Sequence, residues 1–301
     1  MSIPYVREIE FEYGACDQVS PLIRRVIADN PGPFTFTGTG TYIVGQGEVA
    51  VIDPGPDDAA HLAAILAAVA GETVSAIVLT HNHSDHSPLA GPLKAATGAA
   101  IYGCPVTSHV EDEAGAPKME ADHDVGTEPD VNLCGGGTVS GPGWTLEAIP
   151  TPGHTSNHLS YALPQENACF TGDHIMGWST TVITPPDGDM TAYLDSLQRI
   201  RARNFATLWP THGPPIRDVA AFIDAYTEHR KERLDQILLA LSRGPASIRQ
   251  LVPDLYRDVD PRLHPAAARS MLAAIIHLER GGEVEADGPP GAQTRYRLAQ
   301  A

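Results

Sequence analysis

The seven residues THNHSDH, from Thr80 to His86, place three histidines and an aspartate directly after the apolar run SAIVL. Side chains alternate along an extended chain, so His81 and His83 point to the same side and can share one metal ion. Asp85 and His86 follow at the entrance to a predicted helix, where they can serve a second position beside the first. Because imidazole and carboxylate groups are ligands that zinc prefers, this spacing predicts a metal site.

Three further segments each present one such group in a turn after an apolar run: His154 in IPTPGHT, Asp173 in CFTGDH and His212 in LWPTHGPP. A lone histidine is usually a surface or core residue, but three such turns beside the first cluster favour a shared metal centre. Other hydrolytic or redox chemistry is less favoured. The sequence has no G-x-S-x-G elbow of a serine hydrolase and no glycine-rich loop for nucleotide phosphates.

This combination resembles the metallo-β-lactamase superfamily, whose motif T-H-x-H-x-D-H matches Thr80 to His86 throughout. The resemblance covers about residues 8 to 220 and implies an α+β fold, the αββα sandwich, with the site at one edge of two facing sheets. It also implies the ligand roles, which are His81, His83 and His154 for the first ion, Asp85, His86 and His212 for the second, Asp173 as a bridge, and Asp53 in the IDPG turn as a group that orients a ligand.

Several segments resemble one branch of this superfamily, namely NPGPFT, TPGHTSNH, TGDHIMG and the C-terminal region. That branch contains the β-lactamase-like endoribonucleases of mitochondria and many bacterial hydrolases of undetermined substrate. One departure is visible, because the last motif there usually reads Pro-Gly-His-Gly and here Thr211 stands before His212. Thr211 removes no ligand, but it can change the loop around His212.

The chemistry implied is hydrolysis by a metal-bound hydroxide. Two divalent ions about 3.5 to 4 Å apart can share a water and lower its pKa to around 7. Asp85 and Asp173 are the expected catalytic carboxylates, which accept the remaining proton of the nucleophile. Zinc is the expected metal, and iron or manganese would suit the same ligands.

The elements that must position these residues are many short strands with a few helices between them, predicted from residue 34 to about 170. A helix in DMTAYLDSLQRIRA and a last strand in FATLWPTHGPP follow. Residues 111 to 143 are acidic, rich in glycine and proline, and predicted to form a long surface loop. Beyond residue 215, three helical stretches and a hairpin predict a winged helix. We therefore expect a catalytic domain over residues 1–220 and a winged-helix domain over residues 221–301.

Composition is that of an ordinary soluble globular protein, with 42% apolar and 19% charged residues. No long apolar segment predicts a membrane span, and the N-terminal residues do not resemble a signal peptide, so a cytoplasmic protein is expected. The four cysteines, Cys16, Cys104, Cys134 and Cys169, lie far apart, and we expect reduced, mostly buried thiols. Residues 1–228 hold 9 Lys and Arg against 28 Asp and Glu, a net charge of −19.

The negative net charge of residues 1–228 disfavours the binding of a polyanionic substrate. We therefore expect a small-molecule ester, thioester or lactone, with Trp178 and Tyr193 as candidate contacts. Single-stranded RNA stays open as an alternative, since Arg262, Arg269 and Arg280 lie along the third C-terminal helix. A non-catalytic binding or regulatory module is a third hypothesis, and a homodimer is left open.

Overall fold

The computed structural model describes residues 3–106, 123–257 and 260–300. Its first sheet has seven strands in the order β1 to β7. Strands β1 to β4 form an antiparallel meander, whereas β4, β5, β6 and β7 pair in parallel. The strands are β1 (Cys16–Ser20), β2 (Ile23–Ile27), β3 (Gly40–Gln46), β4 (Glu48–Ile52), β5 (Thr73–Val78), β6 (Ala100–Gly103) and β7 (Val131–Asn132).

The second sheet has five strands in the order β12-β11-β10-β9-β8. Its pairs are antiparallel except for β11 and β12, which run parallel. Strands β9, β11 and β12 therefore run in the same direction. The strands are β8 (Gly137–Gly141), β9 (Trp144–Pro150), β10 (Leu159–Leu163), β11 (Ala168–Gly172) and β12 (Thr207–Pro210), with a 3-10 turn over Pro164–Glu166.

The central strands of both sheets are buried on both faces, and helices cover the outer faces. In β3, Tyr42 and Val44 face the second sheet, while Ile43 faces α1 (Ala59–Ala68) and α2 (Ala90–Thr97), because neighbouring side chains in a strand point to opposite faces. On the other side, α3 (Met190–Arg201) and the first half of α4 (Val219–Leu241) cover the second sheet. The αββα sandwich and the α+β class are confirmed.

The C-terminal region has its own apolar core, formed by the second half of α4, two further helices and a three-stranded sheet in the order β13-β15-β14. These elements are β13 (Ala246–Ser247), α5 (Ile248–Leu255), a 3-10 turn over Pro261–Leu263, α6 (His264–Arg280), β14 (Val284–Ala286) and β15 (Arg295–Leu298). The predicted helices and hairpin are therefore present. The helix α4 contributes to both cores, and the domain limits at residues 220 and 221 stay a prediction.

The prediction of four reduced cysteines is wrong for two of them. Cys104 and Cys134 form a disulfide, with Cα atoms 4.7 Å apart. They meet because β6 and β7 pair in parallel just before them, which brings together residues 30 positions apart in sequence. Of the free cysteines, Cys169 is buried as expected and Cys16 is exposed.

The predicted loop over residues 111 to 143 is also corrected in part. Its first twelve residues lie outside the described part of the chain. The rest contains β7, which extends the first sheet, and β8, which pairs with β9 at the edge of the second. Short strands of this kind lack the apolar alternation that reveals longer ones. Among the described residues, no helix is long and apolar enough to cross a membrane.

The β3–β4 hairpin offers a test of how the sheets pack. A Cβ atom at Gly45 would lie 2.5 Å from the indole of Trp144, whereas one at Gly47 would meet nothing within 4 Å. Both glycines have a positive φ, so alanine is strained at either position. We expect Gly45→Ala to lower the free energy of unfolding by about 1–3 kcal/mol more than Gly47→Ala, because only the former overpacks the core. Chemical denaturation of both variants measures this, and equal losses would contradict the packing.

Candidate metal centre

The predicted ligands all follow strands that end at one edge of the sandwich. The segment from Thr80 to His86 follows β5, and His154 follows β9. Asp173 comes directly after β11, and His212 lies two residues after β12. Because β9, β11 and β12 run in the same direction, their ends meet at the same edge, facing the end of β5 across the sandwich. All seven predicted ligands are brought together there.

The first group contains His81, His83 and His154, all of which are buried. Nε2 of His81 lies 3.0 Å from Nδ1 of His83, and Nε2 of His154 lies 3.2 Å from that same Nδ1 atom. Three nitrogen atoms therefore converge on one point. Three protein ligands with space left for water are the usual surroundings of a catalytic zinc ion.

The second group contains Asp85, His86 and His212. Nε2 of His212 lies 3.2 Å from Asp85 Oδ2, and Nε2 of His86 lies 3.6 Å from Asp85 Oδ1. Asp173 stands between the groups, with carboxylate oxygens 3.4 Å from His212 Nε2, 3.6 Å from His86 Nε2 and 3.9 Å from His154 Nε2. It thus reaches members of both groups, which is the geometry required of a shared ligand.

Several of the converging atoms have no hydrogen-bond partner in the described part of the chain. They are buried and comprise Asp85 Oδ1, His86 Nε2, Asp173 Oδ1 and His212 Nε2. Buried polar atoms in a folded protein are nearly always satisfied, so four such atoms facing one another need an explanation. A divalent cation among them would supply it, and the donor set of nitrogen and oxygen atoms fits zinc, iron or manganese.

In three of these histidines, the Nδ1 atom on the far side of the ring from Nε2 donates a hydrogen bond to an oxygen atom. Nδ1 of His86 donates to Asp53 Oδ2 at 2.9 Å, and Nδ1 of His154 donates to the carbonyl of Val182 at 2.8 Å. Nδ1 of His212 donates to the carbonyl of Gly38 at 3.2 Å. These bonds fix the tautomer, because a proton on Nδ1 leaves the Nε2 lone pair free to bind a metal ion.

Asp53 is the most heavily bonded of these acceptors. It lies at the end of β4 with a positive φ of 47° and is fully buried. Its carboxylate accepts from the backbone N–H and the hydroxyl of Thr80, from His86 and from the hydroxyl of Thr211 at 2.9 Å. Thr211 is the position where the related branch carries glycine, so this chain adds a hydrogen bond that glycine cannot make.

The charge environment differs between the two groups. Burial and the neighbouring imidazoles hold the pKa of His81 and of His83 well below the usual range. Burial opposes the charge of His212 too, but the carboxylates of Asp173 and Asp85 raise its pKa to about 10. The same carboxylates raise the pKa of His86 well above its usual value. In the metal-free chain the carboxylates thus favour the protonated imidazoles of the second group.

One residue of the centre was not identified from the sequence. Nε2 of His158 accepts a hydrogen bond from the backbone N–H of Asp173 at 3.2 Å, and its Nδ1 lies 2.9 Å from the hydroxyl of Thr151. The signal was present, since the motif TPGHTSNH contains both His154 and His158. Its second histidine supports the backbone of Asp173 and is not one of the candidate ligands.

A cleft opens above the two groups. Its floor is formed by predicted ligands, and its walls by Pro33, Phe34, Met176, Trp178, Ser179, Thr180 and Val182. Trp178 lies in the cleft as expected and stacks on Phe36, with ring centroids 5.0 Å apart. Tyr193 does not contact the cleft. It is fully buried on the inner face of α3, and its hydroxyl donates to the carbonyl of His174.

Comparison with known proteins agrees with this geometry. Residues 35–212 match the family described as the metallo-beta-lactamase superfamily, and residues 247–291 match the beta-lactamase associated winged helix domain. A beta-lactamase domain protein from Burkholderia ambifaria has the same fold, with a TM-score of 0.80 and 20% identity over 99% of this chain and 97% of its own.

Two relatives by sequence cover most of the chain. A beta-lactamase-like protein 2 homolog of Caenorhabditis elegans is 32% identical over 277 residues, which are 89% of this chain and 88% of the relative. An atrochrysone carboxyl ACP thioesterase of Passalora fulva is 31% identical over 255 residues, or 80% and 69% of the two chains. The chain therefore belongs to the metallo-β-lactamase superfamily and is a hydrolase of that superfamily with a C-terminal winged-helix domain.

Proposed function

We propose that this hydrolase cleaves a small thioester, or a related ester or lactone, with two divalent metal ions held by the seven clustered residues. The observation that carries the proposal is the convergence of two ligand groups on Asp173 beneath a cleft with apolar walls. The thioesterase name of one relative agrees with this substrate class. Zinc is the proposed metal, with iron and manganese as the alternatives.

Each of the two ions has its own set of proposed ligands. One ion would be held by His81, His83 and His154, and the other by Asp85, His86 and His212. Asp173 would bind both ions. When bound, the ions supply Lewis acidity, which lowers the pKa of a water molecule and polarises the scissile carbonyl.

The carboxylates of Asp85 and Asp173 are proposed to accept the proton that the attacking water loses and to return it to the leaving thiolate or alkoxide. Each carboxylate has a buried Oδ1 atom without a hydrogen-bond partner among the described residues. Asp53 takes no part in proton transfer in this proposal, because its oxygens already accept four hydrogen bonds. It instead keeps the Nε2 atom of His86 directed toward the second ion.

The walls of the cleft support an uncharged, apolar acyl group. Phe34, Met176, Trp178 and Val182 offer apolar surface, while Ser179 and Thr180 offer only neutral polar groups. None of the described residues that line the cleft is lysine or arginine. A phosphate or carboxylate next to the scissile bond would therefore meet no cationic side chain among the described residues of the lining.

The C-terminal arginines give no support to the RNA alternative, because each one bonds to this chain. Arg262 pairs with Asp260 at 2.5 Å, and Arg280 pairs with Asp189. Arg269 reaches the carbonyl of Pro185 at 3.4 Å. The complete ligand set likewise favours catalysis over a purely regulatory role. No described contact bears on a homodimer.

Asp173 provides the first test. The purified protein should hold about two divalent ions per chain, and Asp173→Asn should hold about one. Its kcat should fall by about a hundredfold or more, because removing even the partners that orient ligands costs about 10–100-fold. Elemental analysis and steady-state kinetics measure these effects. Asp195→Asn, on the exposed face of α3, is the control; two ions retained in Asp173→Asn would exclude the bridging role.

Thr211 provides a test of ligand orientation. Thr211→Val keeps the volume but removes the hydroxyl that donates to Asp53, so we expect about tenfold weaker binding of the second ion. Thr211→Ser keeps the hydroxyl and should bind as the wild type does. Competition with a chromophoric chelator measures both affinities. Equal affinities in the valine and serine variants would show that this hydrogen bond does not orient the site.

A substrate panel tests the proposed activity. The metal-loaded protein should hydrolyse apolar acyl thioesters, aryl esters or lactones and leave single-stranded RNA intact. Trp178→Ala should raise KM for the best apolar substrate by about tenfold, since losing an aromatic contact costs about 1.4 kcal/mol. Its KM for a short acetyl thioester should change less. Cleavage of RNA with no turnover of any ester would overturn the proposal.

A further inference from the structure

The segment from Ser179 to Val182 forms one wall of the cleft and also holds a predicted ligand. Three of its residues, Ser179, Thr180 and Val182, line the cleft. The carbonyl of Val182 accepts the Nδ1 proton of His154 at 2.8 Å. This carbonyl thus sets the direction in which His154 presents Nε2, so the position of the segment decides the geometry of the first group.

The segment has no regular secondary structure of its own. A buried backbone without ladder hydrogen bonds needs partners from elsewhere. Two side chains of α4 provide them, although α4 lies more than 35 residues further along the chain. The hydroxyl of Tyr226 accepts from the backbone N–H of Thr181 at 2.8 Å and donates to the carbonyl of Ser179 at 2.7 Å. Arg230 Nη2 donates to the carbonyl of Thr181 at 2.5 Å.

The same segment is bonded to the backbone of the bridging aspartate. The hydroxyl of Thr181 lies 2.8 Å from the carbonyl of Asp173 and 3.0 Å from that of His174. Thr181 is therefore held from two sides, by α4 through its backbone and by the end of β11 through its hydroxyl. A shift of α4 would move the Ser179 to Val182 segment. That movement would displace Asp173 and, through the carbonyl of Val182, His154.

The burial of Arg230 indicates that this contact is more than incidental packing. Its side chain is 8% exposed, and its described partners are the carbonyl of Thr181 and the ring of Tyr193, 5.2 Å from the guanidinium carbon. No carboxylate lies within ion-pair distance of it in the part of the chain that the structure describes. Burying a charge without a counter-ion is costly, so stability alone explains this residue poorly.

Helix α6 contacts the chain beyond the Ser179 to Val182 segment, at the start of α3. Arg280 pairs with Asp189, the residue that caps α3, and Nδ1 of His277 lies 2.7 Å from the hydroxyl of Thr191. The backbone N–H of Asp189 in turn donates to the carbonyl of Gly153, beside His154. Two C-terminal helices therefore contact the stretch that connects β11 to α3.

We propose that Tyr226 and Arg230 are positioning residues of the metal centre, which act through the Ser179 to Val182 segment on His154 and Asp173. The inference rests on the proposed function, because it assumes an ion bound by His81, His83 and His154. It assigns to the C-terminal helices a role in building the site. Neither residue contacts the reacting atoms, so their effect must be seen first in metal binding.

Tyr226→Phe is the sharpest test, because it removes one oxygen atom and keeps the ring in the core. The matched control is Thr227→Val, which removes a neighbouring buried hydroxyl that donates within α4 to the carbonyl of Ile223. We expect the more weakly held of the two ions to dissociate about tenfold more readily from Tyr226→Phe and at most about twofold more readily from Thr227→Val. Chelator competition on the zinc-loaded full chain measures this.

A spectroscopic readout separates positioning from stability. In the cobalt-substituted protein, Tyr226→Phe and Arg230→Met should shift the visible absorption bands of the metal, whereas Thr227→Val should leave them unchanged. Thermal unfolding of the metal-free forms shows whether both hydroxyl deletions weaken the fold similarly. Unchanged metal affinity and spectra in Tyr226→Phe, or equal changes in Thr227→Val, would overturn the inference.

Failure of the inference can be distinguished from failure of the proposed function. If the wild type binds no ion, or binds two and hydrolyses none of the substrates, the proposed function fails. If the wild type binds two ions and turns over substrate while Tyr226→Phe binds them identically, only the positioning role fails. The metal affinity and cobalt spectrum of Arg230→Met then test the contact between α4 and the segment a second time.

Discussion

The carboxylate of Asp53 is the constraint on which the rest of the site depends. It accepts four hydrogen bonds from the loops that follow β5 and β12, one strand from each sheet. These hydrogen bonds hold the two sheets together at the edge where the predicted ligands lie. A buried carboxylate needs hydrogen-bond donors, and these four groups supply them. The tight packing of the strand ends and the orientation of His86 thus have one common cause.

The sequence predicted the local part of this centre well and the non-local part poorly. His81 and His83 could be paired from their spacing alone, because alternation along an extended chain determines their common direction. His154, Asp173 and His212 could be added because each follows a strand, and parallel strands deliver their ends to one edge. In contrast, the Cys104–Cys134 disulfide depends on the pairing of a two-residue strand that no pattern indicated.

The contacts behind the ligands were the least predictable. Thr211 was noted as a departure from the related motif, but only the folded chain shows that its hydroxyl meets Asp53 from the other sheet. His158 lies in the motif TPGHTSNH, and the sequence alone indicates no role for it. Tyr226 and Arg230 lie on α4, and the sequence pattern of that helix does not indicate their contacts with the Ser179 to Val182 segment. Hydrogen bonds between distant segments have no periodicity, so spacing rules cannot reveal them.

Electrostatics explains why so much of the molecule is devoted to orientation. The ligand groups concentrate carboxylates and imidazoles in a buried volume, where repulsion and desolvation would displace any side chain that is loosely held. His86, His154 and His212 each donate from Nδ1 to an acceptor oxygen, and one of these acceptors, the carbonyl of Val182, lies in a segment without regular secondary structure. A helix that begins in the catalytic core and ends in the C-terminal core is well suited to hold it, because both ends of α4 are fixed by packing. Through α4, the proposed positioning contacts connect the C-terminal core to the metal centre.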